Sequence, residues 1–264
     1  MKKILYLILL IAVYSLNSCV EQAYLSPFNA NTNPYHAIPL QSDSVKGATY
    51  INGVVTVGSA NQDWADNVFA FRMGLHRSNT FGNFHLYYGG NVSGGIYNVS
   101  SSNFDELTMN GAPINQYSGS KFFGGYGFNG GFNVLVPLSN GGEWRVIGME
   151  GSAQNEFGEY LNFRKSISDS IASIVNKNSW TGTVGVTSEI IAKRRSGAAF
   201  GYKLGIGVGL NTIRNYYSHY TESPVYVSNT LHFTKDNITA FWQINLGSYA
   251  GSFQMGINYR LGKK

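Results

Sequence analysis

The sequence predicts an all-β protein, an up-and-down antiparallel transmembrane β-barrel of about ten strands, with eight as the alternative count. Three observations predict it. The first is a two-residue alternation, cleanest in 198–211, where Phe200, Tyr202, Leu204, Ile206, Val208 and Leu210 alternate with Gly201, Lys203, Gly205, Gly207, Gly209 and Asn211. Strand side chains point to opposite faces in turn, so one face is a continuous apolar band and the other is small and polar. The second is composition: charged residues are 12% of the chain and aromatics 14%, with 32 glycines and a mean hydropathy of −0.12. Soluble domains carry roughly twice that charge, whereas a lipid-facing surface diluted by a polar interior fits these values. The third is the rhythm of the connections, in which short turns follow even-numbered strands and longer loops follow odd-numbered ones as far as the seventh.

Each strand follows from its own alternation. The segment 47–59 sets Ile51, Val55 and Val57 against Tyr50, Asn52 and Thr56; 67–77 sets Phe69, Phe71, Met73 and Leu75 against Ala70, Arg72, Gly74 and His76. After an expected turn at Ser78-Asn79-Thr80, Phe84, Leu86, Tyr88, Val92 and Ile96 oppose His85, Tyr87, Asn91 and Ser93. A polar segment, 100–119, precedes the strand 121–137, in which Phe122, Tyr126, Phe128, Phe132, Val134 and Val136 line one face. The turn Ser139-Asn140-Gly141-Gly142 supplies residues that tolerate positive φ. The return strand runs from Glu143 to about Phe163 and is irregular at its start; 164–177 reads as a short helix or a loop. Trp180, Val184, Val186 and Ile190 mark the next strand, and Arg195-Ser196-Gly197 turns into the strand of 198–211, which continues to about Tyr217. The last three strands are 225–233, 238–246 and 252–261. On this topology Trp144, Phe200, Tyr202 and Tyr259 form one aromatic girdle and Phe122, Trp180, Tyr97, Tyr216 and Phe253 the other.

The N-terminus reads as a targeting segment, with Lys2 and Lys3 ahead of the apolar run ILYLILLIAVYSL. Leu16-Asn17-Ser18-Cys19 resembles the lipobox of bacterial lipoproteins, which implies cleavage before Cys19 and lipidation of that residue. Cys19 is the single cysteine, so no internal disulfide is possible. The expected organisation is a signal peptide over 1–18, a lipid-anchored tether over 19–45 and a barrel over 46–264. The tether carries Pro27, Pro34 and Pro39 and no periodicity.

As a whole the chain resembles the small OmpA/OmpX-like outer-membrane barrels of gram-negative bacteria. More narrowly, it is similar to barrel lipoproteins in which a proline-bearing lead (Asn33-Pro34-Tyr35 through Pro39-Leu40) precedes Lys46-Gly47. Its final Gly256-Ile257-Asn258-Tyr259-Arg260-Leu261 is similar to their C-terminal assembly signal. The resemblance implies residence in the cell outer membrane, contact with its lipid, and no established activity.

Arg72, His76, His85, Glu150, Glu156, Glu189, Lys203 and Arg260 fall on inward faces and read as a lumen charge cluster of mixed sign, paired because unpaired buried charge is costly. A narrow pore is disfavoured at this level, since aromatic and charged lumen residues leave little bore. The net charge of +5 is scattered apart from Lys193-Arg194-Arg195, which excludes nucleic acid as a partner. Glycines recur with strand period rather than in a phosphate-binding loop, and no His, Asp or Glu set has metal spacing. No catalytic residue, metal or cofactor is therefore assigned. The expected function is non-enzymatic: an accessory, scaffold or adhesion protein whose extracellular loops meet a protein partner. Phe104, Leu107, Met109, Ile114 and Tyr117 in one loop and Ile171 and Ile174 in another are the candidate contacts. The alternative is a rim enzyme, a protease or lipid-modifying hydrolase, using groups such as His219, Glu222, Asp105, Glu106 and Ser118.

Overall fold

A computed structural model describes residues 23–29, 33–61, 64–101, 108–109, 112–113, 117–139, 141–168, 172, 174–214 and 220–262. Ten antiparallel strands close into one barrel. They are β1 (Gly47–Ala60), β2 (Asp66–Phe81), β3 (Phe84–Val99), β4 (Gly119–Pro137), β5 (Glu143–Phe157), β6 (Trp180–Lys193), β7 (Ala199–Gly209), β8 (Val225–Lys235), β9 (Ile238–Gly247) and β10 (Ala250–Leu261). Each pairs with the next in sequence, and β10 closes on β1 from Ala250 opposite Ala60 to Leu261 opposite Thr49. The count of eight is thereby set aside.

The alternation sets the facing. Phe69, Phe71, Met73 and Leu75 are 46–53% exposed on the outer surface of β2, while Arg72 and His76 between them are buried. The same outward apolar residues recur on every strand, from Ile51 on β1 to Ile257 on β10. A contiguous apolar belt of this kind is unstable against water, and with a polar interior it defines a membrane-spanning barrel. Trp144, Phe200, Tyr202 and Tyr259 stand exposed toward one end and Phe122, Trp180 and Phe253 toward the other. Tyr97 departs from the expected girdle. It is on the inward parity of β3, 2% exposed, stacked on Tyr160 with its hydroxyl on Asp66. Tyr216 lies outside the described residues.

Connections 61–65, 100–118, 158–179, 210–224 and 248–249 share the long-loop end; 82–83, 138–142, 194–198 and 236–237 share the short-turn end with the start of β1 and the end of β10. The turn expected at Ser78-Asn79-Thr80 falls four residues later. Phe81 pairs with Phe84 around Gly82-Asn83, where Gly82 at φ +58° supplies the left-handed residue a two-residue hairpin needs. The irregular start of β5 is a bulge. Leu135 pairs with Arg145 and Val134 with Ile147, so Val146 is extra and both Val146 and Ile147 face outward. β5 ends at Phe157, short of the expected Phe163, because Gly158 (φ +115°) turns the chain into helix α1, Glu159–Ser166. β7 stops at Gly209. Beyond it, Ile213–Arg214 pairs with Thr221–Glu222 as a small ribbon.

Of the stretch expected to be a tether, the described residues 23–29 and 33–40 are buried in the barrel and its long-loop mouth. Ala23–Tyr24 pairs with Ile174–Val175 at the long-loop end, residues 33–40 are all buried within the lumen, and Ser42 reaches Gly141 at the short-turn end. It shows no period because polar wall surrounds it on every side.

Outward facing has a direct energetic consequence. Ile206, mid-strand on β7 and 51% exposed, should as Ile206→Arg lower the unfolding free energy in lipid vesicles by about 2–4 kcal/mol. Ser196→Arg in the exposed β6–β7 turn should change it little. A denaturant titration of both variants checks this, and equal effects would contradict the facing.

Candidate functional site

The lumen is the site, and glycine shapes it. Large inward side chains lie sideways against the wall over a glycine on the neighbouring strand, rather than reaching for the axis. A Cβ built on Gly131 would meet the Tyr87 ring at 2.8 Å, one on Gly207 the Tyr226 ring at 2.3 Å, and one on Gly256 the Phe241 ring at 2.5 Å. His232 lies over Gly201 and Phe123 over Gly95 in the same way. The rings therefore occupy the rim of the bore and leave its centre free.

An extended stretch of the chain's own N-terminal segment fills that centre. Asn33 donates from Nδ2 to Thr183 Oγ1 (3.3 Å) and its carbonyl accepts from Gln243 (3.1 Å). Tyr35 donates to Glu189 Oε1 (2.9 Å) and stacks on His232 with ring centroids 4.3 Å apart. His36 stacks on Tyr87 and meets His76 edge-on. The Ala37 carbonyl accepts from His76 Nε2 and Ser78 Oγ, both at 3.0 Å, the Pro39 carbonyl from Thr80 (3.1 Å), and the Ile38 carbonyl from Arg145 (3.3 Å). Both ends are fastened. At the long-loop end Tyr24, Phe28, Tyr97, Phe123, Tyr160 and Phe163 form one apolar cluster. Burial raises the Tyr160 phenol well above its ordinary pKa, so it is a neutral hydroxyl and donates to the Leu25 carbonyl (3.1 Å). At the short-turn end Asp43 pairs with Lys193 (2.8 Å) and the Gln41 amide donates to Glu143 (2.8 Å).

The expected charge cluster divides into separate groups. At its centre Arg145, 1% exposed, holds Glu143 and Glu189, each at 2.7 Å, and His232 Nε2 lies 2.7 Å from Glu189. Glu150 pairs with Lys203 and accepts from Tyr87 (3.2 Å). His76 serves the Ala37 carbonyl, and His85 stands 3.7 Å from Glu143. The remaining three are elsewhere. Glu156 pairs with Arg164 of α1 near the long-loop end, Arg72 sits over the Phe28 ring, and Arg260 bonds Asn237 (2.8 Å) at the short-turn rim. Sequence reasoning missed Glu143, Arg145, His232 and Arg164. The break in alternation at Val146-Ile147 was the signal that Arg145 turns inward; the helix that carries Arg164 had none. Among the described residues no three His, Cys, Asp or Glu side chains converge as a metal site requires.

Of the loop candidates, Tyr117 is half-buried against Phe163, and Ile174 is 1% exposed beneath Ala23 and Leu25. Ile174 is thus an anchor for the chain's own N-terminal segment and not a free contact. Met109 belongs to the backbone ribbon of Thr108–Met109 with Ala112–Pro113. Phe104, Leu107, Ile114, Ile171, Cys19, His219, Asp105 and Glu106 lie outside the described residues. Glu222 is exposed and accepts from the Tyr249 hydroxyl, and Ser118 is half-buried.

Fold and lumen together define a closed ten-stranded membrane barrel occupied by its own N-terminal segment. No protein-family model matches the sequence, and no curated protein matches it. Solved structures similar in outline include the β domain of the Bordetella autotransporter BrkA, at 12% identity over 81% of this chain and 99% of that one (TM-score 0.43). The transport unit of the Escherichia coli autotransporter AIDA-I is 9% identical over 89% and 95% (TM-score 0.38). Ail of Yersinia pestis is 10% identical over 82% and 98% (TM-score 0.23).

The central triad gives a stability test. Arg145→Met strands two buried carboxylates and should destabilise the folded barrel by about 3–5 kcal/mol. Adding Glu189→Gln should recover part of the loss. Urea titration of both variants in vesicles reads the difference.

Proposed function

We propose that this chain is an outer-membrane barrel lipoprotein that performs no chemistry of its own and presents its acylated N-terminus, beside its long loops, as an interaction surface outside the cell. The observation that supports this is the direction of threading: residues 23–40 run from the long-loop end to the short-turn end. Outer-membrane barrels keep short turns in the periplasm and long loops outside, so on that rule the N-terminal segment enters the lumen from the cell surface. Cys19 precedes Ala23 by four residues, a reach of at most about 14 Å. Lipid on Cys19 would then seat in the outer leaflet beside the long-loop rim. The lipobox-like Leu16-Asn17-Ser18-Cys19 supplies the modification in this reading.

The occupied lumen also favours a passive role over catalysis. Its charged groups are spent on one another and on the threaded segment, and at the rim Glu222 is engaged by Tyr249. What remains for a partner is the long-loop end, where α1 turns Glu159, Asn162, Lys165 and Ser166 outward around the docked segment. A protein that recognises a lipid-flanked polar loop surface fits that end.

The test is topological. A protease recognition sequence inserted between Glu21 and Gln22 should be cut by protease added to intact cells. Cutting that requires a permeabilised outer membrane would overturn the reading. Cys19→Ala should abolish fatty-acid labelling of the mature chain while the barrel still assembles. Labelling that persists would remove the anchor from the proposal.

A further inference from the structure

The lumen also points to an activity separate from the surface role. We propose that the barrel is a channel held shut by residues 33–40 of its own chain, and that it passes small inorganic ions when this segment loosens from its seats along the wall and shifts aside within the bore.

Three features of the lumen carry the inference. First, the bore is already wide enough for a polypeptide, because Tyr87, Tyr226, Phe241 and His232 lie flat over facing glycines. A shift of the segment therefore opens space along the axis that those rings do not occupy. Second, the wall does not need the segment to neutralise its charges. Arg145 keeps Glu143 and Glu189, and Lys203 keeps Glu150, through contacts in which no atom of 33–40 takes part.

Third, the contacts that hold the segment are of a kind water replaces. Residues 33–40 form no strand ladder with the wall. Their carbonyls take side-chain hydrogen bonds, one each from Gln243, Asn258, Arg145 and Thr80 and two on Ala37, from His76 and Ser78. Neutral bonds of this kind lose little when exchanged for hydration, and only two bonds of the segment, Arg145 to the Ile38 carbonyl and Tyr35 to Glu189, are charge-assisted. The side-chain oxygens of Asn33, Asn52, Asn129 and Asn258 and both polar atoms of Asn91 find no protein partner in the buried lumen. Groups like these are satisfied by water, which makes the interior hydratable rather than a dry core. The larger apolar cluster is at the long-loop end, around Tyr24 and Phe28, while smaller ones seat Tyr35 and Ala37 against Tyr50, Val54 and Phe241 and Leu40 against Ile191 and Ala199. The middle of the segment is therefore held less firmly than that end and can shift while that end stays docked. With the carboxylates of Glu143, Glu150 and Glu189 and the cations of Arg145 and Lys203 all facing the path, the open state discriminates weakly between anions and cations.

The test uses the full chain in planar bilayers with potassium chloride. Tyr35→Ala with His36→Ala removes the two rings stacked against His232 and Tyr87, and should raise the open fraction at least about tenfold. A folded double variant that stays as silent as the parent overturns the proposal. Because that variant could misassemble, a second measurement leaves both rings in place. Ser78, 0% exposed beneath the Ala37 carbonyl, becomes Ser78→Cys in a Cys19→Ala chain. A small cationic thiol reagent should label the folded barrel within hours and reduce its conductance. Complete protection of Cys at this position in the folded barrel, with full labelling in urea, overturns the channel as well. Neither readout depends on where the N-terminus lies relative to the cell, so its failure leaves the surface reading standing.

Discussion

A backbone amide facing hydrocarbon has no water to bond, and that constraint governs everything else in this molecule. A sheet meets it only when its first and last strands pair, as β1 and β10 do along the full length from Ala60–Ala250 to Thr49–Leu261. Closure then fixes the girth of the lumen by strand number and tilt, before any side chain is chosen. The interior must be filled, hydrated or both. Here large inward residues are parked over glycines of the adjoining strand, and the remaining axial space is taken by the segment that precedes β1.

Two kinds of interior result, and they differ in physics as well as position. The long-loop end is an ordinary apolar core, with Tyr24, Phe28, Phe123, Tyr160 and Phe163 packed beneath α1. The middle is a polar lattice in which Arg145 binds Glu143 and Glu189 while single hydrogen bonds tie the threaded chain to the wall. Dispersion and dehydration hold the first; directional bonds hold the second, with a smaller apolar contact of Tyr35 and Ala37 on Tyr50, Val54 and Phe241. One end of the plug is therefore anchored more firmly than its middle.

The barrel was legible because outward residues repeat at period two with few interruptions: Phe69 to Leu75 on β2 and Phe200 to Ile206 on β7 announce their facing without reference to partners. Reading failed where that period breaks. Val146 inserts one residue into β5, and the parity carried past it pointed Arg145 away from the lumen it occupies. Asn33 to Leu40 has no period at all, because it meets wall on every side and presents no single face. Prolines and short polar residues look the same in a solvated tether as in a chain enclosed by a hydrated tube. Tyr97 was readable but misread: its parity on β3 is inward, and its aromatic ring suggested a girdle that parity excludes. Arg164 became visible only once Gly158 had bent the chain into α1.

The direction of the threaded segment bears on the order in which the molecule can be made. Topologically the barrel is a ring and residues 23–40 are its axle, covalently continuous with the ring through 41–46 at one mouth only. A ring fastened by the β1–β10 seam can acquire such an axle by two routes. Either the whole leader is drawn lengthwise through a finished bore, or the sheet curls around a leader already laid across it. Residues 33–40 are buried along the bore and bonded to strands on several sides of it, Gln243 and Asn258 on β9 and β10, His76 and Thr80 on β2, and Arg145 on β5. By the second route the pairing of β10 with β1 is the final event of assembly, a clasp that shuts after its contents are in place.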